Sequence, residues 1–151
     1  LGIVHRDVKP GNLLFRDADT LVVTDFGVAS VRSSTLTLNQ TMLGTLYYIS
    51  PEQIRNATAD PRSDLYALGI TLYQMLTGER PYMGSTPTEL IQAHLEKPVP
   101  RLPAPLAAYQ PLIDGLLAKD PDDRFQSSGE LIAGIDWVEE QIASAAVAVA
   151  P

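Results

Sequence analysis

His5-Arg6-Asp7-Val8-Lys9-Pro10-Gly11-Asn12 puts a carboxylate, a cation and a carboxamide into one short stretch of loop. Asp7 can accept a hydroxyl proton or orient the hydroxyl that carries it. Lys9 stands two residues further along an extended chain, so it points to the same side as Asp7. A cation beside a general base can neutralise charge on a transferring phosphoryl group. Asn12 offers a neutral oxygen of the kind preferred by a hard cation such as Mg²⁺.

Thirteen residues beyond Asn12 stands Asp25-Phe26-Gly27, directly after an apolar, β-branched run. That run, Leu21-Val22-Val23-Thr24, and the earlier Leu13-Leu14-Phe15 flank the turn-prone Asp17-Ala18-Asp19 and predict a small hairpin. The hairpin would carry Asp25 back to face Asn12, giving a cation two oxygen ligands from separate segments. Gly27 is the residue expected to take a positive φ at that turn. From Gly27 to Ser50 the chain is rich in Ser, Thr, Gly and Asn without a firm period, and it reads as a long surface loop. Gly44-Thr45-Leu46-Tyr47-Tyr48-Ile49-Ser50-Pro51-Glu52 closes that loop.

The remainder is helical. Leu65, Leu68, Leu72, Met75 and Leu76 recur at helical spacing from about Ser63, with apolar residues nearly all round, which predicts a buried helix that Gly78 ends. Thr86-Pro87-Thr88-Glu89 is a capping box opening a helix to about Lys97. Leu106 to Lys119 reads as a helix whose start falls at Pro111. Ser127-Ser128-Gly129-Glu130 opens a last helix, expected to end near Ile142. Trp137, with Ile135 and Val138, is its expected core anchor, and His94 is expected on a solvated helix face.

Composition narrows the function. The 151 residues contain no cysteine and two histidines, which excludes a disulfide scaffold, a thiol nucleophile and a thiolate or histidine-rich metal centre. The formal net charge of −7 argues against a nucleic-acid partner. Residues 1–62 carry six basic and six acidic side chains, whereas residues 63–151 carry five and twelve. Cations are therefore retained around the first motif. No apolar run reaches the roughly 18 residues of a membrane-spanning helix.

Taken in order, the three motifs resemble the catalytic loop, the metal-binding turn and the end of the activation segment of protein kinases, with Ser50-Pro51-Glu52 in place of Ala-Pro-Glu. Lys9-Pro10 and Gly44-Thr45 are similar to the serine/threonine class. Arg62-Ser63-Asp64-Leu65-Tyr66-Ala67-Leu68-Gly69 and Leu76-Thr77-Gly78-Glu79-Arg80-Pro81-Tyr82 look most like its bacterial members, and Lys119-Asp120-Pro121-Asp122-Asp123-Arg124-Phe125 resembles the family's closing motif.

The resemblance implies a mainly α fold within the α+β kinase plan. Residues 1–140 would form the C-terminal lobe alone, a helical body with a small hairpin and a long activation loop, and 141–151 a low-complexity tail or linker. Asp7 would be the catalytic base and Lys9 would contact the γ-phosphate of ATP. Asn12 and Asp25 would hold Mg²⁺, and Leu14 would lie beneath adenine. Thr45 would brace Asp7 and Lys9, Asp64 would bond the catalytic-loop backbone, and Arg124 would pair with Glu52. The Gly-rich loop, strand lysine and partner glutamate of the family are absent from residues 1–151, so the expected partners are an N-lobe preceding Leu1 and a protein substrate with a Ser or Thr acceptor. The implied location is cytoplasmic, any membrane anchor of the parent lying beyond Pro151. The alternative reading is a catalytically inactive kinase-like module that binds or regulates.

Other residues have blander readings. His5 is expected to pack and hydrogen-bond beneath Phe26 instead of acting as a base. Asp120, Asp122 and Asp123 lack the glycine and distal glutamate of a calcium loop. Tyr47 and Tyr48 read as packing residues. Arg6, with Arg32, is expected to receive a phosphate on Thr37 or Thr41 of the long loop.

Overall fold

A computed structural model describes residues 4–25, 44–58 and 60–149. Phe26, Gly27, Arg32, Thr37 and Thr41 lie outside the described residues, and the expectations that fall on them with them. Strands β1 (Leu13–Phe15) and β2 (Leu21–Val23) pair antiparallel, Leu13 opposite Val23 and Phe15 opposite Leu21. The Arg16 N–H closes the turn onto the Thr20 carbonyl at 2.9 Å. The hairpin is where the alternation of turn and β-branched residues put it.

Among the described residues the helices that follow include α1 (Pro51–Ile54), α2 (Pro61–Thr77), α3 (Pro87–Glu96), α4 (Gln110–Leu117) and α5 (Ser128–Val149). The first three begin in the same way, with Ser50, Asp60 or Thr86 as N-cap and proline in the first turn, where its missing N–H costs nothing. Helix α1 is an addition to the sequence reading. Its signal was present, because the Ser50 hydroxyl and the Gln53 side chain complete a capping box.

Helix α2 runs through the middle of the body. Tyr66, Ile70 and Thr71 are fully buried, whereas Met75 near its end is exposed, so burial all round holds only for the first three turns. Gly69 lets α2 and α4 approach closely, since a Cβ there would stand 2.7 Å from Leu116 Cβ. Gly78, at φ 77°, ends the helix as expected.

Four expectations are corrected. The segment from Leu106 divides into a 3₁₀ turn, Ala104–Tyr109, and α4, which stops at Leu117. Pro111 marks the helix start as read. Helix α5 passes Ile142 and continues to Val149, because its alanine-rich end has the highest helix propensity of any composition. Trp137 is 51% exposed and Ile135 is also exposed; the buried line of α5 is Leu131 and Val138, and a neighbour one residue away is rotated about 100° from it. His94 is fully buried, not solvated.

The closing motif explains how the body is joined. The Arg124 side chain is fully buried and forms a two-pronged pair with Glu52, Nη1 to Oε1 and Nη2 to Oε2 at 2.8 Å each. Its other N–H groups reach the carbonyls of Ala118 (2.7 Å), Arg62 (3.2 Å) and Lys119 (3.2 Å). The Ser63 hydroxyl adds a 2.6 Å bond to Glu52 Oε1. Asp120 caps the 3₁₀ turn Pro121–Asp123, and Asp122 bonds Arg62 at 2.7 Å, so this acidic cluster has structural partners.

Burial raises the Glu52 pKa, but the bonds from Arg124 and Ser63 outweigh it and hold the carboxyl at about 2 against an ordinary 4.5. A depressed carboxylate stabilises the fold above its unfolded value and loses that contribution as pH falls from about 4.5 towards 2, about 3 kcal/mol in all. Urea unfolding between pH 7 and pH 3 is therefore expected to show a steep acid loss that Glu52→Gln flattens. Arg124→Ala at pH 7 is expected to cost about 3–5 kcal/mol, because it leaves a buried carboxylate without its cation. A change below about 1 kcal/mol in that measurement contradicts the role.

Candidate active site

Asp7 is the focus of the loop that precedes β1. Its Oδ2 accepts from Lys9 Nζ at 2.8 Å and from Asn12 Nδ2 at 3.0 Å. Asn12 Nδ2 also donates to the Asp7 backbone carbonyl at 2.8 Å. Both protons of the Asn12 amide are thus committed to Asp7, which leaves the amide oxygen as the atom able to meet a cation. Asn12 is buried at the end of a short 3₁₀ turn, Pro10–Asn12, while Asp7 and Lys9 are half-buried.

The loop's shape is imposed from α2. Arg6 has φ 68°, a left-handed conformation that costs a non-glycine residue about 1 kcal/mol or more. The Asp64 carboxylate, in the first turn of α2, holds it there by accepting the N–H groups of His5 at 2.7 Å and Arg6 at 2.8 Å. A carboxylate near a helix N-terminus is also favoured by the helix dipole. This is the backbone contact expected of Asp64.

Asp25 is delivered by the hairpin. Pairing continues one step past Leu13 and Val23, with the Thr24 N–H on the Asn12 carbonyl at 2.8 Å, so Asp25 emerges at the end of the hairpin where Asn12 lies. Asp25 itself takes the left-handed conformation, φ 55°, and is exposed.

His5 ties the two segments together. Its Nδ1 accepts the Asp7 N–H at 3.3 Å and its Nε2 lies 3.0 Å from the Thr24 carbonyl, which sets the Nε2–H tautomer. A hydrogen-bonding role was expected for it. Leu14 presents about half of its surface to solvent. Arg6 is exposed. Thr45 shows a backbone contact, its carbonyl accepting from the Tyr48 N–H at 3.1 Å, and among the described residues no hydrogen bond joins it to Asp7 or Lys9. Tyr47 and Tyr48 pack as expected, Tyr48 buried and bonded through its hydroxyl to Gln74 Oε1 at 2.9 Å.

The sequence reading missed two contacts, Ser63 on Glu52 and the buried pair Tyr66–His94. Both are long-range, and no local pattern announces a buried histidine. Among the described residues no group of three His, Cys, Asp or Glu side chains could hold a metal, and no helix is long and apolar enough to cross a membrane.

A family model for the protein kinase domain matches residues 1–133. The chain is similar to the serine/threonine-protein kinase PknL of Mycobacterium tuberculosis, 37% identical over 147 residues, which covers 94% of this chain and 37% of the relative. It is 41% identical over 148 residues to PknB of Mycolicibacterium smegmatis, covering 92% of this chain and 23% of the relative. Against the serine/threonine-protein kinase drp72 of Corynebacterium efficiens it is 39% identical over 140 residues, 91% of this chain and 27% of the relative. The chain thus spans between about a fifth and two fifths of the length of these relatives.

The geometry predicts that Asp64→Ala releases the loop backbone. Amide exchange at His5 and Arg6 is expected to quicken at least about tenfold, with a stability loss of about 2–3 kcal/mol for two bonds to a charged acceptor. Unchanged exchange at these two amides would show that the loop holds its shape without Asp64.

Proposed function

The chain belongs to the protein kinase domain family, and on that premise we propose that it carries the catalytic loop of a bacterial serine/threonine kinase. The proposed reaction moves the γ-phosphoryl group of ATP, with Mg²⁺, onto a serine or threonine hydroxyl of a protein substrate. Such transfer asks the protein for positioning and charge stabilisation more than for covalent chemistry. The proposed domain covers residues 1–140, with 141–151 leading out of it.

The observation that carries this reading is the division of labour around Asp7. One oxygen is occupied by Lys9 and Asn12. The other oxygen remains for the acceptor hydroxyl, whose proton Asp7 would take. Lys9, already at Asp7, would meet the γ-phosphate. The donor set fits Mg²⁺: Asn12 has its amide oxygen left because its nitrogen is spent on Asp7, and Asp25 stands exposed at the same end of the hairpin. Asn12 and Asp25 would hold the ion, which when bound neutralises charge on the phosphate oxygens. Leu14 would supply the floor beneath adenine.

Two partners complete the proposal. Phe15, Leu21 and Val23 form an exposed apolar face on the hairpin, Phe15 at 72%, and Leu14 is exposed on the opposite side. A preceding N-lobe would cover that face and supply the Gly-rich phosphate loop that residues 1–151 do not contain. The second partner is the protein substrate. We place the activity in the cytoplasm, where ATP is available.

The 151 residues alone are expected to bind ATP weakly and to transfer no phosphate to a generic protein substrate, as radiolabel incorporation would show. With an N-lobe joined ahead of Leu1, Asp25→Asn is expected to abolish Mg²⁺-dependent turnover. Asp7→Asn is expected to lower kcat by about 10²–10⁴ while nucleotide affinity stays within about threefold. Equal loss of nucleotide affinity in both variants contradicts the assignment.

A further inference from the structure

A second concentration of buried polar groups lies behind the loop, where α2, α3 and the chain after α4 meet. Tyr66 and His94 are both fully buried, with the Tyr66 hydroxyl 2.9 Å from His94 Nδ1. Tyr82 meets the imidazole edge-on at 5.1 Å between centroids. Lys119 Nζ donates to the His94 carbonyl at 2.7 Å and stands 4.0 Å above the Tyr82 ring.

Within this cluster His94 Nε2 is buried without a hydrogen-bond partner among the described residues. Left unpaired, such an atom costs about 1–3 kcal/mol, so it calls for an acceptor. The Leu46 backbone lies close enough to favour the charged imidazole, yet the bond at Nε2 is not completed. Burial holds the Tyr66 phenol protonated, so it can donate to Nδ1. The single proton of a neutral ring then sits on Nε2, on the side left for Leu46.

We infer that His94 is a positioning residue for residues 44–48: its Nε2–H is the donor that the Leu46 carbonyl takes when a protein substrate seats this segment against the catalytic loop. The segment is already fastened at the two residues that follow Leu46. Tyr48 bonds Gln74, and the Arg80 guanidinium lies 3.8 Å over the Tyr47 ring. Leu46, Tyr47 and Tyr48 share one apolar cluster with Val8, the residue between Asp7 and Lys9. A bond made at Leu46 is therefore felt where the acceptor hydroxyl must meet Asp7. Burial and the neighbouring Lys119 hold the His94 pKa at about 4, so the ring is neutral near pH 7 and Nδ1 stays an acceptor for the Tyr66 hydroxyl. The inference rests on the kinase reading for its consequence, but not for its geometry.

The test uses a kinase with an N-lobe ahead of Leu1. Nitrogen-15 correlation spectra of the histidine rings at pH 7 are expected to show the Nε2–H tautomer for His94; an Nδ1–H tautomer or an imidazolium overturns the inference. Protein substrate is expected to slow amide exchange at residues 44–48 in the native sequence and not in His94→Phe. His94→Phe is expected to raise KM for the protein substrate about tenfold, the worth of one ordinary hydrogen bond, with kcat and KM for ATP within about twofold. His94→Gln, which can accept from Tyr66 and donate onward, is expected to recover all but about threefold. An unchanged protein KM, or equal losses in kcat and both KM values, overturns the inference. If His94→Phe does not fold, Tyr66→Phe decides: it frees Nδ1 and is expected to raise protein KM about threefold, and no rise overturns the proposal. Absence of any phosphoryl transfer would refute the kinase reading, while the tautomer and the exchange at residues 44–48 would still decide the role of His94.

Discussion

The pairing of Arg124 with Glu52 is the constraint on which the rest of the structure depends. A guanidinium has five N–H groups in a fixed plane. Here they meet both oxygens of one carboxylate and the carbonyls of Ala118, Arg62 and Lys119. A buried charge so completely satisfied admits essentially one arrangement of its neighbours. Apolar residues of similar volume can stabilise as well or better, so the value of the pair lies in the uniqueness of what it joins. It joins α1, the start of α2 and the turn before α5, and through α1 it anchors the chain that runs on from Tyr47 and Tyr48.

The loop around Asp7 is held in an analogous way, by a carboxylate satisfied from the backbone. Asp64 extends from α2 and fixes His5 and Arg6 in a conformation that Arg6 would not choose by itself. The hairpin grips the other end of the loop through Thr24 and Asn12. Between these two anchors Asp7, Lys9 and Asn12 have little freedom left. The conformational entropy of arranging them is spent in folding, before any substrate arrives.

Much of this was legible in the chain because the signals are local. Hairpins are announced by turn residues between β-branched runs. The helices after Asp60 and Thr86 are announced by a capping side chain followed by proline, and the Asp7, Lys9, Asn12 and Asp25 spacings by their order. The misreadings share a cause as well. His94 lies on the buried side of its helix with Leu90 and Ala93, and its polar burial is completed by Tyr66 and Tyr82, which are remote or across a turn. Trp137 is large and aromatic but exposed, because the face of α5 that packs is the one carrying Leu131 and Val138.

The sequence by itself determined which chemistry the chain can carry: a carboxylate, a cation and two oxygen ligands, with the caps and turns that frame them, because covalent order and local propensity suffice for those. Tertiary structure alone decided which atoms of those residues remain available. Asn12 is left with its amide oxygen alone to offer because Asp7 has taken both of its amide protons. Glu52 stays ionised in the interior only because Arg124 arrives from 72 residues away. His94 keeps an unanswered donor only because three elements close around it. Each of these depends on burial and on partners distant in sequence, and both exist only once the chain has folded.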